Sequence, residues 1–157
     1  MDPPDCAAAF DAFVGEHEPR LRIALVATYG PDHGREATAE ALAWAWEHWD
    51  RARQLDAPVS YLYRVGQSRT RRLRRRAPAL GFADVVRDRV PWVEPALAAA
   101  LDGLSSQQRL CVVLIHVEQW THAEVAALLR VGRSTVQTHA ERGLERLRDA
   151  LEVEIDG

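Results

Sequence analysis

The most constraining feature of this chain is a spacing repeated near its C-terminus. Ser105 precedes Gln108, Thr121 precedes Glu124 and Ser134 precedes Gln137, each by three residues. A hydroxyl at a helix start accepts a hydrogen bond from an orphan amide. A Gln or Glu three residues later reaches back to the cap residue's own amide. Each pair opens an apolar run of helical period. Three helices are therefore predicted: about Ser106 to Glu118, about His122 to Leu129, and one beginning near Thr135. Between the last two, Arg130-Val131-Gly132-Arg133 offers Gly132 for a tight turn. Val136, Ala140, Leu144, Leu147 and Leu151 recur at three- and four-residue steps, so one face of the third helix is predicted to be buried. A short helix, a tight turn and a longer helix form a helix-turn-helix. Such a unit braces its first helix on a nucleic-acid backbone and lays the start of its second in a major groove.

The residues off that buried face are Arg133, Ser134, Thr135, Gln137, Thr138, His139, Glu141 and Arg142. Gln can pair with adenine through two bonds, Arg with guanine, and Thr can pack on a thymine methyl. Arg130, Arg133 and Arg142 are placed to hold phosphates. The plainer alternative is a helical hairpin with a solvated polar face.

The N-terminal half also reads as helices. Phe10, Phe13 and Val14 share a face in a first, and Leu21, Ala24, Leu25 and Thr28 in a second that ends at Tyr29-Gly30-Pro31. A third is expected from Glu36 to Trp49, with Trp46 read as core. Pro58 opens a fourth, since proline suits a first helical position. That helix runs through Tyr61, Leu62 and Val65 into a basic block. Ala77 to Pro95 breaks the pattern with Pro78, Gly81, Pro91 and Pro95 and is read as a linker. The predicted fold class is all-α: two small helical domains, 5–76 and 96–153, joined by 77–95, with the helix-turn-helix in the second.

Charge follows the same division. The net charge of −3 conceals five Arg against eleven acids over 1–60, nine against two over 61–93, and six against ten over 94–157. All twenty basic residues are arginine. Six of them fall within Arg69–Arg76, dense enough to suggest a polyanion partner rather than a merely solvated face.

Other classes find little support. No apolar run exceeds six residues, against the roughly 20 that a membrane span needs, so no membrane role is expected. The start, Met1-Asp2-Pro3-Pro4-Asp5, lacks the positive charge and apolar stretch of a secretory signal. A cytoplasmic location is the expectation. Cys6 and Cys111 are too few and too far apart for a disulfide scaffold or a four-ligand zinc site. Cys111 is read as a small buried hydrophobe, and His116 and His122 as surface or cap-adjacent residues. The six histidines show no HExxH or other ligand spacing, and no glycine loop cradles phosphate. No catalytic residue, metal or cofactor is predicted.

Taken together, these segments resemble the extracytoplasmic-function sigma factors of bacterial RNA polymerase. Ala100-Leu101-Asp102-Gly103-Leu104-Ser105-Ser106-Gln107-Gln108-Arg109 resembles the "aLxxLpxxqR" opening of that family's second domain. Thr121-His122-Ala123-Glu124-Val125-Ala126 resembles "sxxEIA", and Ser134 through Arg148 resembles "gTVksrlxRarxrLR". In the first domain, Pro58-Val59-Ser60-Tyr61-Leu62-Tyr63-Arg64-Val65 resembles "pxaWLyrIa" and runs into a basic helix end, as it does in the family. Ala39 stands where the family's polymerase-binding helix commonly has Gln.

The resemblance implies a role with three parts. Glu36, Glu40, Trp44 and Glu47 would bind core RNA polymerase. Trp49, Tyr61, Tyr63, Arg64, Arg71 and Arg72 would read the −10 element of promoter DNA. Arg133, Ser134, Thr135, Gln137, Thr138, His139 and Arg142 would read the −35 element. An anti-sigma factor is a possible further partner. Two alternatives stay open: a stand-alone helix-turn-helix regulator, and a sigma-like interaction module without promoter activity.

Overall fold

The structure, a computed structural model, describes residues 3–73 and 95–155, and the expected linker at 77–95 lies outside them except for Pro95. The described residues are mostly helical and contain no strand. In order they form α1 (Pro3–Tyr29), α2 (Pro31–Glu47), α3 (Trp49–Ala52), α4 (Pro58–Leu73), α5 (Pro95–Asp102), α6 (Ser106–Val112), a π-helical turn (Val113–Val117), α7 (His122–Leu129) and α8 (Arg133–Ile155).

The all-helical expectation stands, with shifted boundaries. The two helices expected before Tyr29 are one, α1, which continues through Pro19. The third begins at Pro31 rather than Glu36, because that proline occupies the first helical position. It stops at Glu47, where His48 leaves helical geometry at φ −118°, and Trp49 opens the separate short helix α3. The helix expected to reach Glu118 widens after Val112. Glu118 N–H donates to Val113 O at 3.0 Å, a five-residue step, and Trp120 N–H donates to Leu114 O at 2.8 Å. Gln119, between them, takes φ 59°.

The helices α1, α2 and α4 pack around Leu21, Ala24, Leu25 and Leu62, all fully buried. Ala37, Ala41 and Ala45 place a stripe of small side chains along the inner face of α2, which lets α1 come close. Gly34 marks the tightest approach: a β-carbon there would sit 2.6 Å from Val26 N. Three buried threonines, Thr28, Thr38 and Thr70, donate to carbonyls one turn back, those of Ala24, Gly34 and Gly66, at 2.7–2.8 Å. Their hydroxyls are thereby satisfied without water.

The same core continues into the C-terminal half. Leu110, Cys111, Leu114, Trp120, Val125, Leu128, Val136 and Ala140 belong to one cluster with the residues of α1, α2 and α4. A smaller cluster of Leu104, Val112 and Leu147 ties α6 to the middle of α8.

One aromatic expectation changes. Trp46, expected in the core, is 50% exposed and touches Phe10 edge-on at 4.9 Å. Its neighbours Ala41 and Ala45 take the inward positions instead. Cys111 is fully buried, as expected, and burial pushes its thiol up to about 11. The folded state thus favours the neutral thiol more than the unfolded chain does. Its stability contribution is complete below the unfolded value and is lost as pH rises through the folded one. Urea-unfolding stability is expected to fall between about pH 9 and 11 through this group. Cys111→Ala should flatten that limb, and an unchanged limb would remove the assignment.

Candidate nucleic-acid interface

The helix-turn-helix is built from α7, its turn and α8. At Thr121 the reciprocal cap forms: Glu124 N–H donates to Thr121 Oγ1 at 3.1 Å, and Thr121 N–H donates to Glu124 Oε2 at 2.8 Å. That backbone bond, with Arg20 beside it, holds the Glu124 carboxyl below the usual carboxylate range. The Ser105–Gln108 cap forms in the same way. The third predicted cap does not. Helix α8 starts at Arg133, one residue before Ser134, so Ser134 already lies within the helix. Gln137 Nε2 turns outward and donates to Glu141 Oε1 at 2.9 Å instead.

The turn also differs from expectation. Arg130, not Gly132, takes the left-handed conformation, at φ 56° and ψ 45°. A side chain there costs about 1–2 kcal/mol in contact with its own carbonyl. Arg130→Gly is therefore expected to stabilise the protein by about 1 kcal/mol, or about 2–4 °C in Tm for a chain of this size. A melting temperature that stays put or falls would contradict this.

Helix α8 presents the surface read from the sequence. Val136 and Ala140 point inward, and Gly143 lets the helix seat against α6, since a β-carbon there would lie 2.6 Å from Val112 Cγ2. Arg133, Ser134, Thr135, Gln137, Thr138 and Arg142 are exposed, and His139 is half-buried. Thr138 Oγ1 donates to Ser134 O at 2.9 Å, leaving its methyl available to a base edge. His116 from the π-helical turn and His122 from α7 line an open groove with Arg133, Ser134, Gln137 and Glu141. Both histidines are exposed, as expected.

The predicted −10 residues are less uniform. Tyr63 is only 1% exposed, and its phenol lies 2.8 Å from Thr28 Oγ1. Burial drives its pKa up. The structure corrects this assignment: Tyr63 is a core residue whose ring faces α1 and offers nothing to DNA. Trp49 is half-buried, with Phe10 and Phe13 each edge-on at 5.4 Å, and its indole nitrogen is buried without a partner. Tyr61 is half-buried against Trp44 at 5.1 Å, and the Arg51 guanidinium covers both rings, 5.8 Å from Trp44 and 5.3 Å from Tyr61. Arg51 was not foreseen, because nothing in its local sequence marks an arginine of the short helix α3 that folds back on two aromatics. Arg64 is half-buried on α4, and Arg71 is exposed. Arg72 belongs to α4, but its side chain is outside the described residues.

On α2, Glu36, Glu40 and Glu47 are exposed, and Trp44 is half-buried, stacked on His48 at 4.6 Å. All four lie along one side of the helix. Glu40 reaches Arg69 of α4 at 3.9 Å. Among the described residues, no three or more His, Cys, Asp or Glu side chains gather as a metal site. Nor is any described helix long and apolar enough to cross a membrane.

A capped helix-turn-helix among described residues that hold no strand, with arginines on its reading helix, has the architecture of a double-stranded DNA reader. Comparison with known proteins makes this more specific. Residues 95–147 match the family model described as Sigma-70, region 4. The whole fold is similar to that of the sigma factor RpoE from Bartonella quintana, solved in complex with the anti-sigma factor NepR. That likeness has a TM-score of 0.65 at 19% sequence identity and covers 92% of this chain and 98% of the other. A search of curated proteins finds no match. The C-terminal segment is thus similar to sigma-70 region 4 over residues 95–147, on a fold shared with the Bartonella protein. The sigma-factor resemblance drawn from the sequence agrees with both findings.

Proposed function

We propose that this protein is a sigma factor of the extracytoplasmic-function type, which binds core RNA polymerase and directs it to a promoter. The observation that carries the reading is the coupling of two parts in one chain. A region 4 helix-turn-helix with an exposed Arg133–Arg142 face is joined to an N-terminal helical unit ending in a block of arginines. A stand-alone regulator has no need of the second part.

In this reading the segment 5–76 engages polymerase through Glu36, Glu40, Trp44 and Glu47. It also contacts the −10 element through Tyr61, Arg64, Arg71 and Arg72, with Trp49 shaping the surface. The segment 96–153 reads the −35 element through Arg133, Ser134, Thr135, Gln137, Thr138, His139 and Arg142. An opened strand needs π-faces and a cationic track. Tyr61, with Arg51 beside its ring, and the arginines of α4 supply these. By analogy with the RpoE complex, an anti-sigma protein is a fitting regulator. The work of such a protein is recognition and strand capture, with no chemical step for its side chains to perform.

The test is co-purification with bacterial core RNA polymerase, followed by transcription from a randomised promoter library. Stable association with initiation at one promoter class is expected. A folded chain that binds duplex DNA but not polymerase would favour the stand-alone regulator. One that binds polymerase without initiating would favour the interaction module, and Ala39 would then be the first residue to restore to Gln.

A further inference from the structure

Two exposed histidines beside the reading helix have no part in the function proposed above. His116 leaves the π-helical turn on backbone that is held twice. Glu118 N–H closes the turn on Val113 O at 3.0 Å, and the Gln119 side-chain amide donates to His116 O at 3.1 Å. His122 is the first residue of α7, directly after the Thr121–Glu124 cap. Both line one groove, whose opposite wall is the start of α8, with Arg133, Ser134, Gln137 and Glu141. Arg133 and Glu141 are the other ionisable groups that line it, and they act on a ring charge in opposite senses. Glu141 already accepts from Gln137. Among the described residues neither ring forms an ion pair or a hydrogen bond.

We propose that His116 and His122, with Arg133, form a seat for DNA backbone phosphate that engages when the rings are protonated, so that duplex binding strengthens as pH falls. The inference rests on the proposed reading of α8 as the duplex-facing helix, and adds to it two residues and a proton. Ser134 and Gln137 belong both to the groove wall and to the surface assigned to bases. A duplex laid on that surface carries its phosphates over the groove, and half to two-thirds of protein–DNA hydrogen bonds go to phosphate and sugar. Histidine is the side chain whose ordinary ionisation falls between about pH 5 and 8. Once charged, the ring donates from both nitrogens. A phosphate beside it favours that charged form. Proton and phosphate therefore raise each other's affinity by the same factor. The charge of the C-terminal half makes each proton count. Residues 94–157 hold ten acids against six arginines, and charging these two rings offsets half of that excess.

The test is binding of the full chain to labelled duplex, both the promoter selected with polymerase and mixed-sequence DNA. It is measured at about pH 8 and about pH 6 over a series of salt concentrations. Affinity is expected to rise about 10-fold at the lower pH, the equivalent of one pKa unit summed over the two rings. The salt dependence should steepen by about one to two phosphate contacts, which a purely structural role would not produce. The paired change His116→Gln with His122→Gln is expected to hold the rise to about 2-fold, the remainder belonging to His139 on the reading face. The paired change His116→Arg with His122→Arg should bind at the higher pH as the parent does at the lower. This gain keeps the test decisive if the glutamine pair loses its fold, which circular dichroism would reveal. A parent whose affinity and salt dependence ignore pH, a folded glutamine pair that keeps the full rise, or an arginine pair that gains nothing at the higher pH overturns the proposal. So does a chain that binds no duplex at either pH even at low salt. A chain that shows the linkage on duplex but binds no polymerase would sink the sigma reading and leave the phosphate seat standing.

Discussion

Gly34→Ala is expected to destabilise the protein by about 3 kcal/mol, the upper part of the range for forcing extra volume into a packed interior. The new methyl group would meet the Val26 backbone at its α-carbon and nitrogen, and the carbonyl carbon of Leu25 at 2.8 Å. Flexible side chains can swing aside at small cost, but main chain inside α1 cannot. Relief requires α1 and α2 to separate, and they are the two helices on which the N-terminal core is built. Gly15→Ala is the control, because nothing lies within 4 Å of a β-carbon at that exposed helical position. It is expected to stabilise by about 0.5–1 kcal/mol, since alanine loses less backbone entropy than glycine in a helix. Urea unfolding of the two variants should therefore move in opposite directions. Equal midpoints would mean that the α1–α2 approach is looser than described.

The second large effect concerns promoter choice. Gln137 is exposed on the first turns of α8, with its amide donating to Glu141. Engaging adenine through two bonds would require it to leave that partner. Gln137→Ala is expected to reduce discrimination at one base pair of the −35 element by about 1–3 kcal/mol, or roughly 5- to 150-fold. Affinity for unrelated duplex should hardly change. Arg142→Ala should do the opposite, weakening binding to all sequences and lowering the salt dependence by about one phosphate contact. Binding of holoenzyme to a library of single-base promoter variants, at two salt concentrations, separates the two effects. Unaltered preference in Gln137→Ala would remove that residue from base reading.

The helix-turn-helix was legible in the sequence because its signals are local. Caps at Thr121 and Ser105 depend on side chains three residues apart, and α7 runs from His122 to Leu129 as the spacing predicts. Where a local signal failed, a second local bond had won. At Ser134 the hydroxyl sits inside α8, and Gln137 prefers Glu141. Tyr63 was misread because its partner, Thr28, lies 35 residues away in sequence. A tyrosine beside arginines resembles a DNA contact until the helix facing it is known. Arg109 shows the same limit from the other side. Its neighbours in sequence mark a family motif, but its bonds are to α1, more than 80 residues earlier.

The π-helical turn after α6 carries a consequence for chain length. An extra residue looped into a helix is, in effect, a tolerated insertion, and here it falls between Val113 and Val117. Removing one residue would let the ordinary ladder close. Everything downstream would then turn by about 100° and move by about 1.5 Å. Trp120 would swing out from beneath Arg20, and the helix-turn-helix would face a new direction. Homologous chains lacking that one residue would need a different seat for their reading head, so its presence or absence offers a marker for sorting relatives by how their two halves meet.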